Sequence, residues 1–393
     1  MDVTDRWGVT PLMYAAAMGM GDVVQLLISK GANITTRARH FNRDFMHYAS
    51  VRGHWDLILE SLNTIRLYNS DEQFFQQYVR KAIYHLVFNG TWLGDSRTKY
   101  FESLLGLCED VNFTFGDHYK ENNLLHYVET EKEFQALIRH GFHGFNKPNS
   151  DGDLPLNYIV HKGSKVDLIR RCLDNGADVN HINHSDRTVI FELLQCLEYL
   201  DCTTWDTVDS IKLCLDRGLH ISHTDSCICA CSLNGCNTSS AFYVNFTNAF
   251  RGPQPDFIWA FEWLSIVEEF CGYEESRALL LSFIRRTRFD LLNLTHFCCH
   301  RGEGLRPYSN SYSQPSPEDV QEILNEEQEP IQILEEEMQR YNSEGLDALR
   351  SEWMILLKLK YDKAAAGAQA RRAISGVSST KRNSDHGMFQ LTY

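Results

Sequence analysis

Four thiols fall within ten residues of one another, at Cys227, Cys229, Cys231 and Cys236, and a second group, His296-Phe-Cys298-Cys299-His300, follows about sixty residues later. The chain holds 12 cysteines in 393 residues, so this density is local and not an effect of composition. Tetrahedral zinc takes four Cys or His ligands, and alternating Cys-x-Cys residues ahead of a glycine turn can wrap one ion. The spacing therefore points to a structural zinc held by Cys229, Cys231, Cys236 and Cys299, with Cys227 and His296 as substitutes. Two other chemistries stay open. Buried free cysteines pack as small hydrophobes, and thiols in pairs can serve a disulfide or redox role.

Helices must position these groups. Residues 255–290 read as helical and aromatic-rich, with Phe257, Trp259, Phe261, Trp263, Val267 and Phe270 forming a core that caps the element before it. The alternative is a small-molecule pocket lined by His223, Trp259, Trp263 and His296, which would make the chain an unusual enzyme. The short run Arg285-Arg286-Thr287-Arg288 reads as a solvated helix face. Residues 304–315 have linker composition, and Ser316-Pro317-Glu318-Asp319 has the pattern of an N-cap followed by proline and acids at a helix start. Residues 318–352 carry twelve acids against two arginines, a local charge of -10 out of -14 for the whole chain. An acidic helical segment over 316–374, packed back on the preceding structure, and a disordered tail over 375–393 are expected. Glu335, Glu336 and Glu337 are consecutive and diverge around a helix, so they do not make the facing pair that general acid–base catalysis needs.

The first half is repetitive. Asp5-Arg-Trp-Gly8-Val-Thr10-Pro11-Leu12-Met-Tyr-Ala15-Ala16 is followed by Val23-Val24-Gln-Leu26-Leu27 and Gly31-Ala32-Asn33. Thr10 is placed to cap a helix that begins at Pro11, Ala15 and Ala16 allow close helix approach, and Gly31 suits a left-handed C-terminal turn. Further copies follow at Met46–Gly53, Asn123–Gly141, Asp151–Asn180 and Asp186–Gly218, of which Asp151–Asn180 is a strong one, with a degenerate half-unit near Phe101–Asn112. The period of about 33 residues resembles the ankyrin repeat. The expected fold is all-α, an ankyrin-repeat solenoid of about six units over 1–223 followed by a helical C-terminal domain whose Cys-rich part spans 224–303. The Cys-x-Cys-x-Cys-Ser-x-x-Gly-Cys and Thr-His-x-Cys-Cys patterns, at Cys227–Cys236 and Thr295–Cys299, resemble the C-terminal part of filamentous-fungal ankyrin-repeat proteins. That resemblance implies an architecture and no reaction.

Ankyrin-type solenoids bind other proteins through finger turns and a concave helix face. Candidate contact residues at those positions are Arg6, Trp7, Met13, Tyr14, Arg43, His47, Tyr119, His126 and His161, of which His126 has the place of a histidine used for the repeat's own hydrogen bonding. The partner is a protein, with a small molecule as the alternative ligand. An acidic balance disfavours nucleic acid, and no apolar run approaches the roughly 20 residues of a membrane span. Without a visible signal peptide, twelve cysteines indicate a reducing compartment, cytosol or nucleus. No phosphate-binding glycine loop, nucleophile elbow or His-Glu-x-x-His motif is present in the sequence.

Overall fold

The computed structural model describes residues 2–39, 42–116, 120–161, 165–195, 204–224, 229–232, 235–236, 238, 242–243, 258–295 and 316–379. The chain forms two compact units, Met1–His184 and Ser185–Tyr393. The described residues contain helices and isolated bridges, such as Thr114 with Asn123, but no strand.

The first unit is built of helix pairs. They are α1 (Pro11–Ala17) and α2 (Gly21–Ser29), α3 (Phe45–Val51) and α4 (Trp55–Tyr68), then α5 (Glu72–Asn89) and α6 (Asp95–Leu105). After them come a 3-10 turn (Leu124–Tyr127) with α7 (Glu131–Arg139), and α8 (Pro155–His161) with α9 (Val166–Asp174). Helix α1 starts as its sequence dictates. The Thr10 hydroxyl accepts from Met13 N at 3.2 Å, Pro11 takes the first helical position, and Ala15 and Ala16 are buried where α1 meets α2 and α3. Stacking continues along the unit: α2 rests on α4, α3 on α5, α6 on α7 and α7 on α9. Short α1 and α3 alternate with a longer α5 of 18 residues, which explains why the repeat period is lost to the eye after residue 70.

The finger turns between pairs depend on glycine at one point of close approach. Gly8 has φ +78°, and a Cβ there would stand 2.8 Å from Arg39 N and 2.9 Å from Arg39 Cγ. Both the conformation and the space admit only glycine. Arg39 N in turn donates to Trp7 O at 2.9 Å, locking the second finger to the first. A charged tie lies deeper in the unit, where Arg97 donates to both Glu133 oxygens at 2.7 and 2.8 Å and to Tyr127 O at 3.0 Å, with both side chains buried.

The second unit begins with the pair α10 (Val189–Gln195) and α11 (Thr204–Asp216) and continues with α12 (Ile258–Phe270) and α13 (Tyr273–Leu291). It ends with α14 (Pro317–Glu326), α15 (Gln328–Tyr341) and α16 (Leu346–Ser379). Helix α13 is central, packed by α12, α15 and α16. An aromatic stack runs through it: Trp353 lies 4.5 Å from Phe283, which meets Phe242 edge-on at 5.7 Å, and Phe242 stacks on Trp263 at 5.1 Å.

The arginine run on α13 is not a solvated face. Arg285 pairs with Glu335, Arg288 Nε donates to Glu337 Oε2 at 2.6 Å, and Arg286 is only 2% exposed. The acidic residues of α15 supply the counter-charges, so part of the acidic surplus is consumed inside the unit. Glu335 and Glu337 do diverge from Glu336, which accepts instead from Gln332 at 3.0 Å. Ser316 caps α14 with Asp319 in a reciprocal box, as its sequence indicates. Helix α16 runs to Ser379, five residues past the expected end near 374. Among the described residues, no helix is long and apolar enough to cross a membrane.

Candidate functional site

The first finger gathers several of the residues expected to contact a partner. Asp5 builds the turn: its Oδ1 accepts from Trp7 N at 2.9 Å and Val9 N at 2.8 Å, and its Oδ2 from Tyr14 OH at 2.9 Å. These bonds, led by the one from Val9, hold the Asp5 carboxyl below its ordinary range, and the same contact raises Tyr14. Trp7 is 46% exposed with the Arg6 guanidinium 4.7 Å above its ring, and Tyr14 is 54% exposed. The result is a rigid display of two aromatic rings and a cation. Arg43 stands half-buried in the second finger, where its carbonyl accepts from Ala38 N at 2.7 Å.

Met13 does not belong to this surface. It is 1% exposed, and its Sδ accepts from Thr10 N at 3.4 Å. At the third position of α1 a side chain turns back over the helix start, which completes the cap in the manner of a capping box. Tyr119 and the side chain of His161 lie outside the described residues. His126 is wholly buried in the role its place in the repeat suggests: Asn123 N donates to Nδ1 at 3.1 Å, which leaves Nε2 to donate to Asp153 O at 3.3 Å. His181 and His223 make the same kind of link, to Gly152 O at 2.7 Å and Asp186 O at 3.0 Å.

Beneath the second finger lies a group that sequence reading saw only in part. His47 on α3 and His85 on α5 face each other with ring centroids 5.4 Å apart. His85 is 4% exposed, and among the described residues neither of its ring nitrogens has a hydrogen-bond partner, nor does Nε2 of His47. Burial, reinforced by nearby cations, pushes His85 down to about 3 and His47 down to about 4. Asp44 caps α3 through His47 N at 3.0 Å and pairs with Lys81 beside the two rings. A histidine at position 85 gave no sequence signal, because it falls in the stretch where the repeat period is lost.

In the second unit, Cys229, Cys231 and Cys236 are all buried, and Cys227, Cys298, Cys299, His296 and His300 lie outside the described residues. Among the described residues no group of three or more His, Cys, Asp or Glu side chains is arranged to hold a metal ion, so the three buried thiols do not form a ligand set by themselves. What grips their loop is arginine. Arg286 donates to Cys231 Sγ at 3.0 Å, and Arg285 donates twice to Ala230 O, at 3.0 and 2.9 Å. The sequence signal for this clamp was the basic run itself, unreadable until its neighbours were known.

Two of the four residues expected to line a pocket are described in the same unit. Trp263 is 1% exposed and stacked on Phe242, in the core. His223 is engaged in its backbone link, with its ring 6.4 Å from Phe191. The Trp259 side chain and His296 lie outside the described residues. Cys172 and Cys214 are buried, and desolvation pushes both thiols up to about 12, so neither is a nucleophile near neutral pH.

Residues 7–39 match the ankyrin repeat family model. Among solved structures, an ankyrin repeat domain from Acinetobacter baumannii is 14% identical, covers 69% of this chain and 97% of its own, and has a TM-score of 0.33. A predatory endopeptidase from Bdellovibrio bacteriovorus, in complex with an immunity protein, is 18% identical, covers 52% of this chain and 83% of its own, and has a TM-score of 0.28. No curated protein matches the sequence. Among the described residues the chain is all-helical, a run of helix pairs whose first matches the ankyrin repeat, followed by a helical C-terminal region.

Proposed function

We propose that this ankyrin-repeat chain is a protein-interaction module whose contact surface is the finger and first-helix face of its N-terminal repeats. The observation that supports the reading most is the first finger. Trp7 and Tyr14 hold large exposed rings in fixed positions, one under a guanidinium and one tied to Asp5. Rigid aromatic rings lose little conformational entropy on binding and dominate the energetics of protein interfaces. The C-terminal helices serve as a packed support in this reading, since the aromatic residues described there are mostly core.

The test is site-directed photo-crosslinking. A photoreactive phenylalanine analogue at Tyr14 should capture a discrete partner, and the double variant Trp7→Ala/Tyr14→Ala should no longer bind that partner after its purification. A captured set that is unchanged by the double substitution sinks the proposal.

A further inference from the structure

Building on that reading of the finger face, we infer that the partner presents an acidic peptide segment to a cationic platform made by the first two fingers. The whole chain carries -14, which makes a basic surface on it informative. Arg6, Arg37 and Arg39 are exposed and Arg43 is half-buried. Arg37 and Arg39 form no ion pair among the described residues.

Three of the four carboxylates between residues 2 and 44 are engaged in building the fold, and the fourth, Asp22, lies exposed on α2. Asp5 holds the first turn and Tyr14, Asp2 accepts from Asn33 N at 2.8 Å, and Asp44 caps α3 and pairs with Lys81. Arg6, Arg37 and Arg39 stay exposed, while Asp2, Asp5 and Asp44 are held by bonds within the fold. The two fingers are one structure, joined by the Arg39 N to Trp7 O bond and by the hairpin bond from Ala38 N to Arg43 O. Further in, the charges that act on neighbouring groups are again positive: Arg43 on His47, Arg37 on Tyr78 and Lys81 on His85.

Guanidinium groups recognise carboxylates through paired hydrogen bonds, and the Trp7 ring beneath Arg6 adds an apolar plane. Such charge acts over roughly 8–10 Å at moderate salt, so each guanidinium reaches two or three neighbouring residues of an extended acidic peptide. A nucleic acid would extend beyond four arginines and meet the acidic remainder of the chain.

The experiment uses the full chain and fluorescence anisotropy. The probes are a fluorescein-labelled dodecapeptide of sequence (Glu-Asp-Ser)4, its counterpart with lysine for each acid, and a single-stranded DNA 20-mer. The acidic peptide should bind, and its affinity should fall at least about tenfold in Arg37→Glu/Arg39→Glu. Arg170→Glu, which reverses an exposed arginine on α9, should leave it unchanged. Absence of acidic-peptide binding, equal loss in the Arg170 variant, or tighter binding of the DNA overturns the inference. The two proposals separate cleanly. A crosslinked partner that is lost with Trp7 and Tyr14 but retained when Arg37 and Arg39 are reversed leaves the interaction reading standing and removes the acidic partner.

Discussion

Acid should weaken the first unit through His47 and His85, and the structure sets the size of the effect. In the unfolded chain both imidazoles titrate near their ordinary value of about 6.5. In the folded unit burial keeps His85 neutral down to about 3 and His47 down to about 4. Between those limits the unfolded state binds more protons than the folded one, so stability is full above about pH 6.5 and falls as the pH drops. For His85, nearly all buried, the loss by pH 5 is about 2 kcal/mol. His47 is half-buried, and solvent screening reduces its share to roughly 1 kcal/mol. The perturbation is His47→Leu/His85→Leu, which also removes three buried ring nitrogens that lack partners among the described residues. The assay is hydrogen exchange of the α3 and α5 amides at pH 7.5 and 5.0, corrected for intrinsic rates, beside urea unfolding at both values. The parent should lose about 3 kcal/mol more on acidification than the variant. Equal losses in the two proteins would refute the reasoning, and would place the acid sensitivity among the carboxylates.

Other outcomes follow from the same packing. Arg97→Met alone should destabilise the first unit by about 3–5 kcal/mol, because it leaves Glu133 charged and buried, and adding Glu133→Leu should recover much of that in chemical denaturation. Trp353→Ala should cost the second unit about 3–5 kcal/mol by emptying the space beside Phe283, read as a lowered unfolding midpoint. Thr10→Ala should cost about 1 kcal/mol, with exchange increased at the first amides of α1. Cys172 and Cys214 should resist thiol-specific alkylation in the folded protein and react on unfolding, followed by mass spectrometry of the labelled peptides.

Much of the fold is legible in the sequence because its determinants are local. Thr10-Pro11 starts α1, Gly31 with φ +82° ends α2, and Ser316-Pro317 starts α14, each through contacts within a few residues. The exposure of Trp7 and Tyr14 on the finger is legible for the same reason, since the repeat pattern fixes which positions face outward. Met13 was misplaced because adjacent helix positions differ by about 100° of rotation, so Tyr14 faces outward while Met13 folds back on the cap. The arginines of α13 show the other limit. Arg285, Arg286 and Arg288 read as a surface run, yet their partners stand at Ala230, Cys231, Glu335 and Glu337, some fifty residues away in either direction. His85 met His47, and Trp263 met Phe242, only when helices far apart in the chain packed together. By itself the sequence determined the helices, their caps and the repeat, because backbone geometry answers to near neighbours. Tertiary structure decided which charges are neutralised, which rings are buried and which arginines remain on the surface, because burial and ion pairing belong to residues brought together in space.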